Sequence, residues 1–211
     1  MTKKEKLIEI LKILETQNPS PTTELKYDNE YQLTVAVVLS AQCTDKRVNL
    51  ITKNFFKKFK DFKSLSLASI DEIYDLIKSC SYPNNKAKYL KLLSEIVVSK
   101  YNGKLPDNYN ELITLPGVGP KTANVLLNVL YNAPVIPVDT HVKRVTTRLG
   151  LANNKDSPLK VEKKLKAITP DEYLNKLHHW FILHGRYICT AKAPKCEICE
   201  IAMFCDFFLT K

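Results

Sequence analysis

The sequence contains a dense group of cysteines near its end. Four of its six cysteines fall within the last 23 residues and follow the pattern C-x6-C-x2-C-x5-C. Structural zinc sites commonly use two separate C-x2-4-C pairs, and only one such pair is present here. Four thiolates in one short loop suit an iron–sulfur cluster at least as well. The spacing therefore favours iron–sulfur over zinc, and either over disulfides, with ligands at Cys189, Cys196, Cys199 and Cys205.

A second candidate site is the decapeptide LPGVGPKTAN at residues 115–124. Its Gly117-Val118-Gly119 turn separates two helical patterns, and glycine permits the positive φ and the close backbone approach that a tight turn needs. Pro120 is favoured at the first position of the following helix, whose remaining N–H groups and dipole would bind an anion. Walker A and dinucleotide-binding loops require other glycine spacings. The segment therefore predicts a helix-hairpin-helix that binds the nucleic-acid backbone.

Two charged residues near this turn could carry chemistry. Lys121 is the second residue of the predicted helix, where the helix N-terminus and partial desolvation both disfavour a charged ammonium. A neutral amine is a nucleophile that forms Schiff bases, whereas the alternative is a lysine whose ammonium simply contacts phosphate. Asp139 occupies a predicted N-cap position, which by itself explains an aspartate. A carboxylate close to Lys121 could also accept its proton and oppose positive charge on a sugar ring.

Helical periodicity dominates the chain that must position these residues. Apolar side chains recur at i, i+3, i+4 and i+7 from Leu7 to Leu14, before a stop at Asn18. A helix over 45–62 carries a lysine-rich face that is either solvated or directed at phosphates. The segment 121–131 is apolar on nearly all sides, which predicts a buried central helix. Further helices are predicted over 69–78, 86–101, 108–115, 140–149, 159–167 and 170–189, without strand signals, so the fold class is all-α.

Composition limits the class of protein. The 211 residues include 32 Lys+Arg and 22 Asp+Glu, and the resulting net charge of +10 indicates a polyanionic partner. The apolar content of 45% is that of a globular protein. The start of the sequence lacks secretory features, and apolar runs such as 35–39 are far shorter than the ~20 residues of a membrane span. We therefore expect a soluble protein inside the cell with no membrane association.

Four motifs resemble those of the endonuclease III family of DNA glycosylases, within the helix-hairpin-helix glycosylase superfamily. They are LPGVGPKTAN, VDTHVKRVTTRLGL, HHWFILHGRYIC and the cysteine loop, and they occur in the family's order. The resemblance covers nearly the whole chain. It implies a two-domain fold, with a six-helix barrel at about 22–132 and a 4Fe–4S cluster domain formed by 1–21 and 133–211, and an active site in the cleft between them.

The resemblance also implies a bifunctional DNA glycosylase and AP lyase of base excision repair. Such an enzyme excises oxidised pyrimidines from duplex DNA and nicks the abasic site by β-elimination through a lysine Schiff base. Lys121 matches the catalytic lysine and Asp139 the catalytic aspartate. Gln42 matches the residue that fills the vacated base position, and Tyr82 matches a wedge in the base stack. The four cysteines match the cluster ligands, and two further residues are expected to face phosphates, Lys192 and Lys195.

Two alternative functions remain. One is a monofunctional glycosylase of the same superfamily, such as an adenine-mismatch enzyme, but those relatives lack the lysine at position 121. The other is a non-catalytic DNA-binding module that combines the hairpin with a structural metal. The expected cofactor is a 4Fe–4S cluster, and the expected partner is double-stranded DNA with damaged pyrimidines or abasic sites. We expect a monomer in the cytoplasm, associated with the nucleoid. Pro120 replaces a common Arg or Lys of the family, which removes one possible phosphate contact.

Overall fold

The computed structural model describes residues 1–210. No β-strand occurs in that range, so the predicted all-α class is confirmed. The helices are α1 (Lys3–Gln17), α2 (Glu30–Ser40), α3 (Asp45–Lys58), α4 (Phe62–Leu67), α5 (Ile70–Ile77), α6 (Pro83–Tyr101), α7 (Tyr109–Leu112), α8 (Pro120–Tyr131), α9 (Thr140–Arg148), α10 (Pro158–Ile168), α11 (Leu174–Tyr187) and α12 (Asp206–Leu209), with short 3-10 helices at Asp171–Tyr173, Cys196–Ile198 and Ala202–Phe204. None of the helices described is long and apolar enough to cross a membrane.

The chain forms two compact units. Glu24–Tyr131 is continuous in sequence, and we call it the middle unit. Met1–Thr23 and Asn132–Lys211 together form the other, which we call the split unit. The middle unit contains α2 to α8, and the split unit contains α1 and α9 to α12.

The middle unit is built around α2, a helix that is buried on all sides. Eight of its 11 residues are buried, from Tyr31 to Leu39. Asn29 begins the helix, because its side chain accepts a hydrogen bond from the Gln32 amide at 3.0 Å. The helix was not predicted from the sequence, because a segment that is apolar on every face lacks the 3.6-residue periodicity of a half-exposed helix.

The prediction that the helix after Lys121 forms the buried centre is wrong. In α8 the buried apolar residues Ala123, Leu126 and Leu127 lie on one face, and Lys121 and Tyr131 are exposed. The other apolar residues of α8 are only partly covered. The central place in this unit belongs to α2, so α8 is a conventional half-buried helix.

Several helices are shorter in the structure than the sequence pattern predicts. The helix predicted over 45–62 stops at Lys58, because Asp61 caps the next helix and accepts the Ser64 amide at 2.7 Å. The segment 108–115 forms only the short α7 after its N-cap Asn108. The segment 170–189 is divided between a 3-10 helix and α11, which begins at Leu174.

The split unit packs α1 against helices from the second half of the chain. Trp180 donates from Nε1 to the Asn18 carbonyl at 2.8 Å, and Lys6 Nζ donates to the Leu149 carbonyl at 2.9 Å. These bonds hold both ends of α1 to distant parts of the sequence. The apolar residues predicted for α1 are all buried in the core of this unit, as their periodicity predicts: Leu7, Ile10, Leu11 and Leu14.

Candidate functional site

The decapeptide at 115–124 forms a tight connection between α7 and α8. Val118 N donates to Leu115 O at 3.0 Å, and Ala123 N donates to Gly119 O at 2.9 Å. The Val118 side chain is buried, which anchors the turn in the middle unit. Because the first amides of a helix have no acceptor within the helix, this turn combines N–H groups with the positive end of a dipole. The arrangement suits an anion such as a phosphate.

The two glycines of the turn have different structural roles. Gly117 has φ of 79°, a left-handed conformation that glycine adopts without strain. A Cβ added at Gly117 would lie 3.0 Å from Cβ of Tyr89, so the α6 helix approaches the turn closely here. Gly119 does not have positive φ, and a Cβ added there would meet no atom within 4 Å. Only Gly117 therefore meets the conformational expectation for this turn, and Gly119 faces open space.

Lys121 is the second residue of α8, as predicted, and it is exposed. The expectation that Lys121 is partly desolvated is therefore wrong for the protein alone. An exposed amine in the first turn of a helix, directly after an anion-binding turn, can reach an electrophile attached to a large polyanion.

Asp139 is the N-cap of α9, as predicted. Its Oδ1 accepts a hydrogen bond from the Val142 amide at 2.8 Å. The preceding residues 136–138 are buried, so the chain that enters α9 is held firmly. Asp139 belongs to the split unit, whereas Lys121 belongs to the middle unit.

Gln42 and Tyr82 lie in two loops that meet within the middle unit. Gln42 follows α2, and Tyr82 directly precedes α6. The Ser81 hydroxyl donates to the Gln42 carbonyl at 2.6 Å, so the loops are joined next to both residues. Both have positive φ, 56° for Gln42 and 54° for Tyr82, and both side chains are exposed. Left-handed backbone at two neighbouring non-glycine residues is costly and is typical of functional sites.

The four C-terminal cysteines line one cavity within the split unit. The wall of the cavity also includes apolar residues, among them Leu149, Ile188 and Ile201. All the cysteines described are free thiols, and no three His, Cys, Asp or Glu side chains in residues 1–210 are placed to hold a metal ion. The cysteines that line the cavity are Cys189, Cys196, Cys199 and Cys205.

Burial disfavours the charged form of two cysteines in this cavity. Burial and, to a smaller extent, the other three cysteines raise the pKa of the Cys199 thiol to about 11. Burial also raises the pKa of Cys205. Four thiolates would repel one another in this environment, and positive charge between them would offset the energetic cost of that repulsion and of their burial. The donor set therefore fits a thiolate-bound metal group.

Two arginines of α9 support the cysteine loop, and the sequence analysis did not identify them. Arg144 Nε donates to the Cys189 carbonyl at 3.0 Å, and Arg148 Nη1 donates to the Thr190 carbonyl at 2.7 Å. Their i, i+4 spacing places both on one face of the helix. This spacing is the feature of the sequence that could have indicated that the two arginines contact the same segment. Two exposed lysines lie in the same loop, Lys192 and Lys195.

Comparison with known proteins agrees with this geometry. The family described as "HhH-GPD superfamily base excision DNA repair protein" matches residues 35–171. Endonuclease III of Rickettsia felis is 47% identical over 94% of this chain and 93% of its own length, and that of Haemophilus influenzae is 43% identical over 97% and 96%. A solved structure of a trapped endonuclease III–DNA covalent intermediate is 40% identical, with a TM-score of 0.93, and the match covers 100% of this chain and 99% of that one. The chain is a base excision repair DNA glycosylase that belongs to the endonuclease III family of the helix-hairpin-helix superfamily.

Proposed function

We propose that the protein excises oxidised pyrimidines from duplex DNA and then cuts the strand at the resulting abasic site. The observation that carries this proposal is the exposed Lys121 amine in the first turn of α8, directly after the hairpin. The relatives support it, because one of the matched structures is a trapped covalent complex of endonuclease III with DNA.

Lys121 is the nucleophile of the proposed reaction. After the damaged nucleotide leaves the base stack, Nζ attacks C1′ and the C1′–N bond breaks, so that the base departs with the bonding electrons. The sugar ring then opens to a Schiff base between Nζ and C1′. Loss of a C2′ proton expels the 3′ phosphate by β-elimination, and hydrolysis of the Schiff base releases Lys121.

Asp139 is proposed to assist this step through its carboxylate. It would accept the proton that Lys121 loses and oppose the positive charge that develops on the sugar as the base leaves. The hydrogen bond from the Val142 amide fixes the orientation of the carboxylate.

The proposed DNA-binding residues form two groups, one that contacts the phosphate backbone and one that contacts the base stack. The amides of Gly117, Val118 and Gly119 would bind phosphates without reading sequence. Gln42 would fill the position that the flipped base leaves, and Tyr82 would enter the stack beside it. Two lysines of the cysteine loop would contact further phosphates, Lys192 and Lys195.

A 4Fe–4S cluster is the proposed cofactor, held by the four cysteines of the cavity. Tetrahedral zinc would bring four sulfurs to about 3.8 Å from one another, given Zn–S bonds of about 2.3 Å. A 4Fe–4S cluster is held by four cysteine thiolates, and four cysteines from one short loop line this cavity. When bound, the cluster would tie the C-terminal loop together through iron–thiolate bonds.

The middle unit, Glu24–Tyr131, is proposed to be the barrel domain that was predicted over 22–132. The split unit is proposed to be the cluster domain that was predicted over 1–21 and 133–211. We propose that the protein acts as a monomer on chromosomal DNA in the cytoplasm, associated with the nucleoid.

Borohydride trapping tests the proposed reaction. The protein is incubated with a duplex that contains thymine glycol or an abasic site, reduced, and analysed for a covalent protein–DNA band. The intact protein should give the band, and Lys121→Ala and Lys121→Arg should not, although the arginine variant keeps the charge. Binding of the abasic duplex by the intact protein without adduct or cleavage would contradict the lyase mechanism. Iron and sulfide analysis tests the cofactor, and a colourless protein with one zinc would contradict it.

A further inference from the structure

Lys86 is a buried lysine in the second turn of α6. Its side chain is 5% exposed, and its Nζ donates to three acceptors in the middle unit. These are the Leu39 carbonyl at 2.8 Å, the Ala41 carbonyl at 2.7 Å and the Cys80 sulfur at 3.2 Å. An ammonium has three N–H donors, so these bonds use all of them.

The bonds to Leu39 and Ala41 explain how a cation is tolerated at this buried position. Both carbonyls belong to the C-terminal end of α2, where helix carbonyls lack partners and the dipole is negative. The last turn of α2 contains no basic residue of its own. Lys86 therefore supplies, from a distant part of the sequence, the cation that stabilises this helix end.

Cys80 extends the same network to the loop before α6. Burial raises the pKa of the Cys80 thiol, so the group stays protonated and can donate as well as accept. It donates to the Leu39 carbonyl at 3.3 Å and accepts from Lys86. The end of α2 and the loop that begins α6 thus share one buried hydrogen-bond network.

This network lies directly behind the two strained loop residues. Gln42 follows Ala41 by one residue, and Tyr82 lies two residues after Cys80. A non-glycine residue in the left-handed region is strained and persists only where its surroundings determine the conformation. Lys86 bonds to both chain segments from the buried side, Cys80 joins them there through its bond to the Leu39 carbonyl, and the Ser81 hydroxyl joins them at the surface.

The helix that carries Lys86 also reaches the hairpin. Lys86 and Tyr89 are three residues apart, a spacing that places them on one side of α6, and Tyr82 directly precedes the helix. The Tyr89 ring packs against Gly117, so α6 contacts the hairpin turn as well as the two loops. Lys86 lies between Tyr82 and Tyr89 in the sequence.

We infer that Lys86 is a positioning residue for the recognition of damaged DNA, which fixes Gln42 and Tyr82 in the conformation that enters the base stack. The inference rests on the proposed roles of Gln42 and Tyr82. Lys86 contacts neither DNA nor the reacting atoms. It acts through the backbone of the two loops.

The test compares Lys86→Met with Lys88→Met in the full chain. Lys88 is an exposed lysine of the same helix, so both variants lose one positive charge. The DNA is a duplex with 2-aminopurine opposite a stable abasic-site analogue, whose fluorescence reports entry of side chains into the stack. A second assay measures KM and kcat for cleavage of a natural abasic site. Lys86→Arg tests whether another cation with several N–H donors restores the function.

We expect Lys86→Met to lose most of the fluorescence change at saturating protein. We also expect its KM to rise about tenfold, the loss that follows when one stacking contact is removed, with kcat nearly unchanged because Lys121 is intact. Lys88→Met should behave as the unmodified protein does, and Lys86→Arg should recover part of the signal.

A second variant covers the case in which Lys86→Met does not fold. Ser81→Ala removes the surface hydrogen bond between the same loops, and we expect a smaller change of both readouts in the same direction. If Lys86→Met folds and gives the same fluorescence change and KM as Lys88→Met, the inference is overturned. If Lys86→Met does not fold, unchanged fluorescence and KM in Ser81→Ala would overturn it. The borohydride adduct of the intact protein separates the two proposals. If the intact protein forms no adduct, the lyase mechanism is refuted. If it forms the adduct but the variants change neither fluorescence nor KM, only the role of Lys86 is refuted.

Discussion

The Arg148 guanidinium donates a hydrogen bond to the Cys189 sulfur at 3.2 Å. The same guanidinium stacks on the Phe207 ring at 4.6 Å and donates to the Ala191 carbonyl at 3.0 Å. A planar cation with several donors thus holds one cysteine, its loop and the aromatic wall of the cavity at once. The cysteine loop therefore depends on α9 for its shape.

Replacing Arg148 is expected to weaken the proposed cluster. Arg148→Met removes the bond to the Cys189 sulfur and the positive charge beside it, and residues that support metal ligands typically change metal affinity by about 10-fold to 100-fold. We expect iron to be lost at least about tenfold faster in the presence of a chelator. Lys192→Ala, which removes an exposed cation of the same loop, serves as the control. Equal rates of iron loss in the two variants would contradict the role assigned to Arg148.

The two hairpin glycines are expected to respond differently to alanine. Gly117→Ala places a Cβ in the left-handed region and 3.0 Å from Tyr89, so we expect the free energy of unfolding to fall by about 1–2 kcal/mol. Gly119→Ala meets no atom within 4 Å, so the fold should tolerate it, but the methyl group would project from the turn whose amides are proposed to bind phosphate. We expect this variant to keep its stability and lose affinity for DNA. Denaturant titration and DNA binding measure the two effects, and identical stability losses would refute the distinction.

Asp139 variants separate helix capping from chemistry. Asn can accept the Val142 amide as Asp does, whereas Ala cannot, and loss of an N-cap costs about 1 kcal/mol. Asp139→Asn should therefore keep the thermal stability of the protein, while Asp139→Ala should lower it. Both should reduce the rate of Schiff-base formation by about 100-fold or more, because both lack the carboxylate that accepts a proton. A normal single-turnover rate in Asp139→Asn would show that capping is the whole role of this residue.

His179 is expected to make the protein less stable in acid. The side chain is 8% exposed, and burial lowers its pKa from 6.5 to about 4. Between these values the unfolded chain binds more protons than the folded one, so the free energy of unfolding falls as the pH drops from about 6.5 to 4. A shift of this size corresponds to about 3 kcal/mol once the pH reaches the folded value.

The contribution of His179 is isolated by comparing pH dependences. His179→Gln removes the titrating group, so its free energy of unfolding should fall less steeply than that of the unmodified protein across the same pH range. Measuring the difference between the two proteins cancels the contribution of all other groups. Parallel curves would contradict the prediction.

Local signals in the sequence were enough for much of the helical pattern. The amphipathic periodicity of α1 predicted its buried face, and Asp139 was predicted as a cap from its place between an apolar approach and a helix. The helix α2 was missed because it is buried on all sides and has no polar face. The break between α3 and α4 was missed because the apolar stripe continues through Phe59 and Phe62, and the capping bond of Asp61 divides it.

Contacts between distant segments could not be predicted in the same way. Lysine is a residue type that is ordinarily exposed on a helix, so the sequence gives no sign that Lys86 is buried. Only the fold brings the carbonyls of Leu39 and Ala41 to it across more than 40 residues of sequence. Arg148 reaches Cys189 across 41 residues. Neither partner is visible from local spacing, whereas the four cysteines were found because their spacing alone limits the chemistry.

The discontinuity of the split unit also determines the order in which the chain can fold during synthesis. The middle unit is continuous, so all its partners have left the ribosome once Tyr131 is made. The apolar face of α1 is made before the middle unit but packs against residues that are made after it, including Trp180. Since domains fold as units during translation, α1 must remain without its partners while the middle unit folds. During this stage the apolar face of α1 is exposed beside a folded middle unit, which is where a chaperone that binds apolar segments would act.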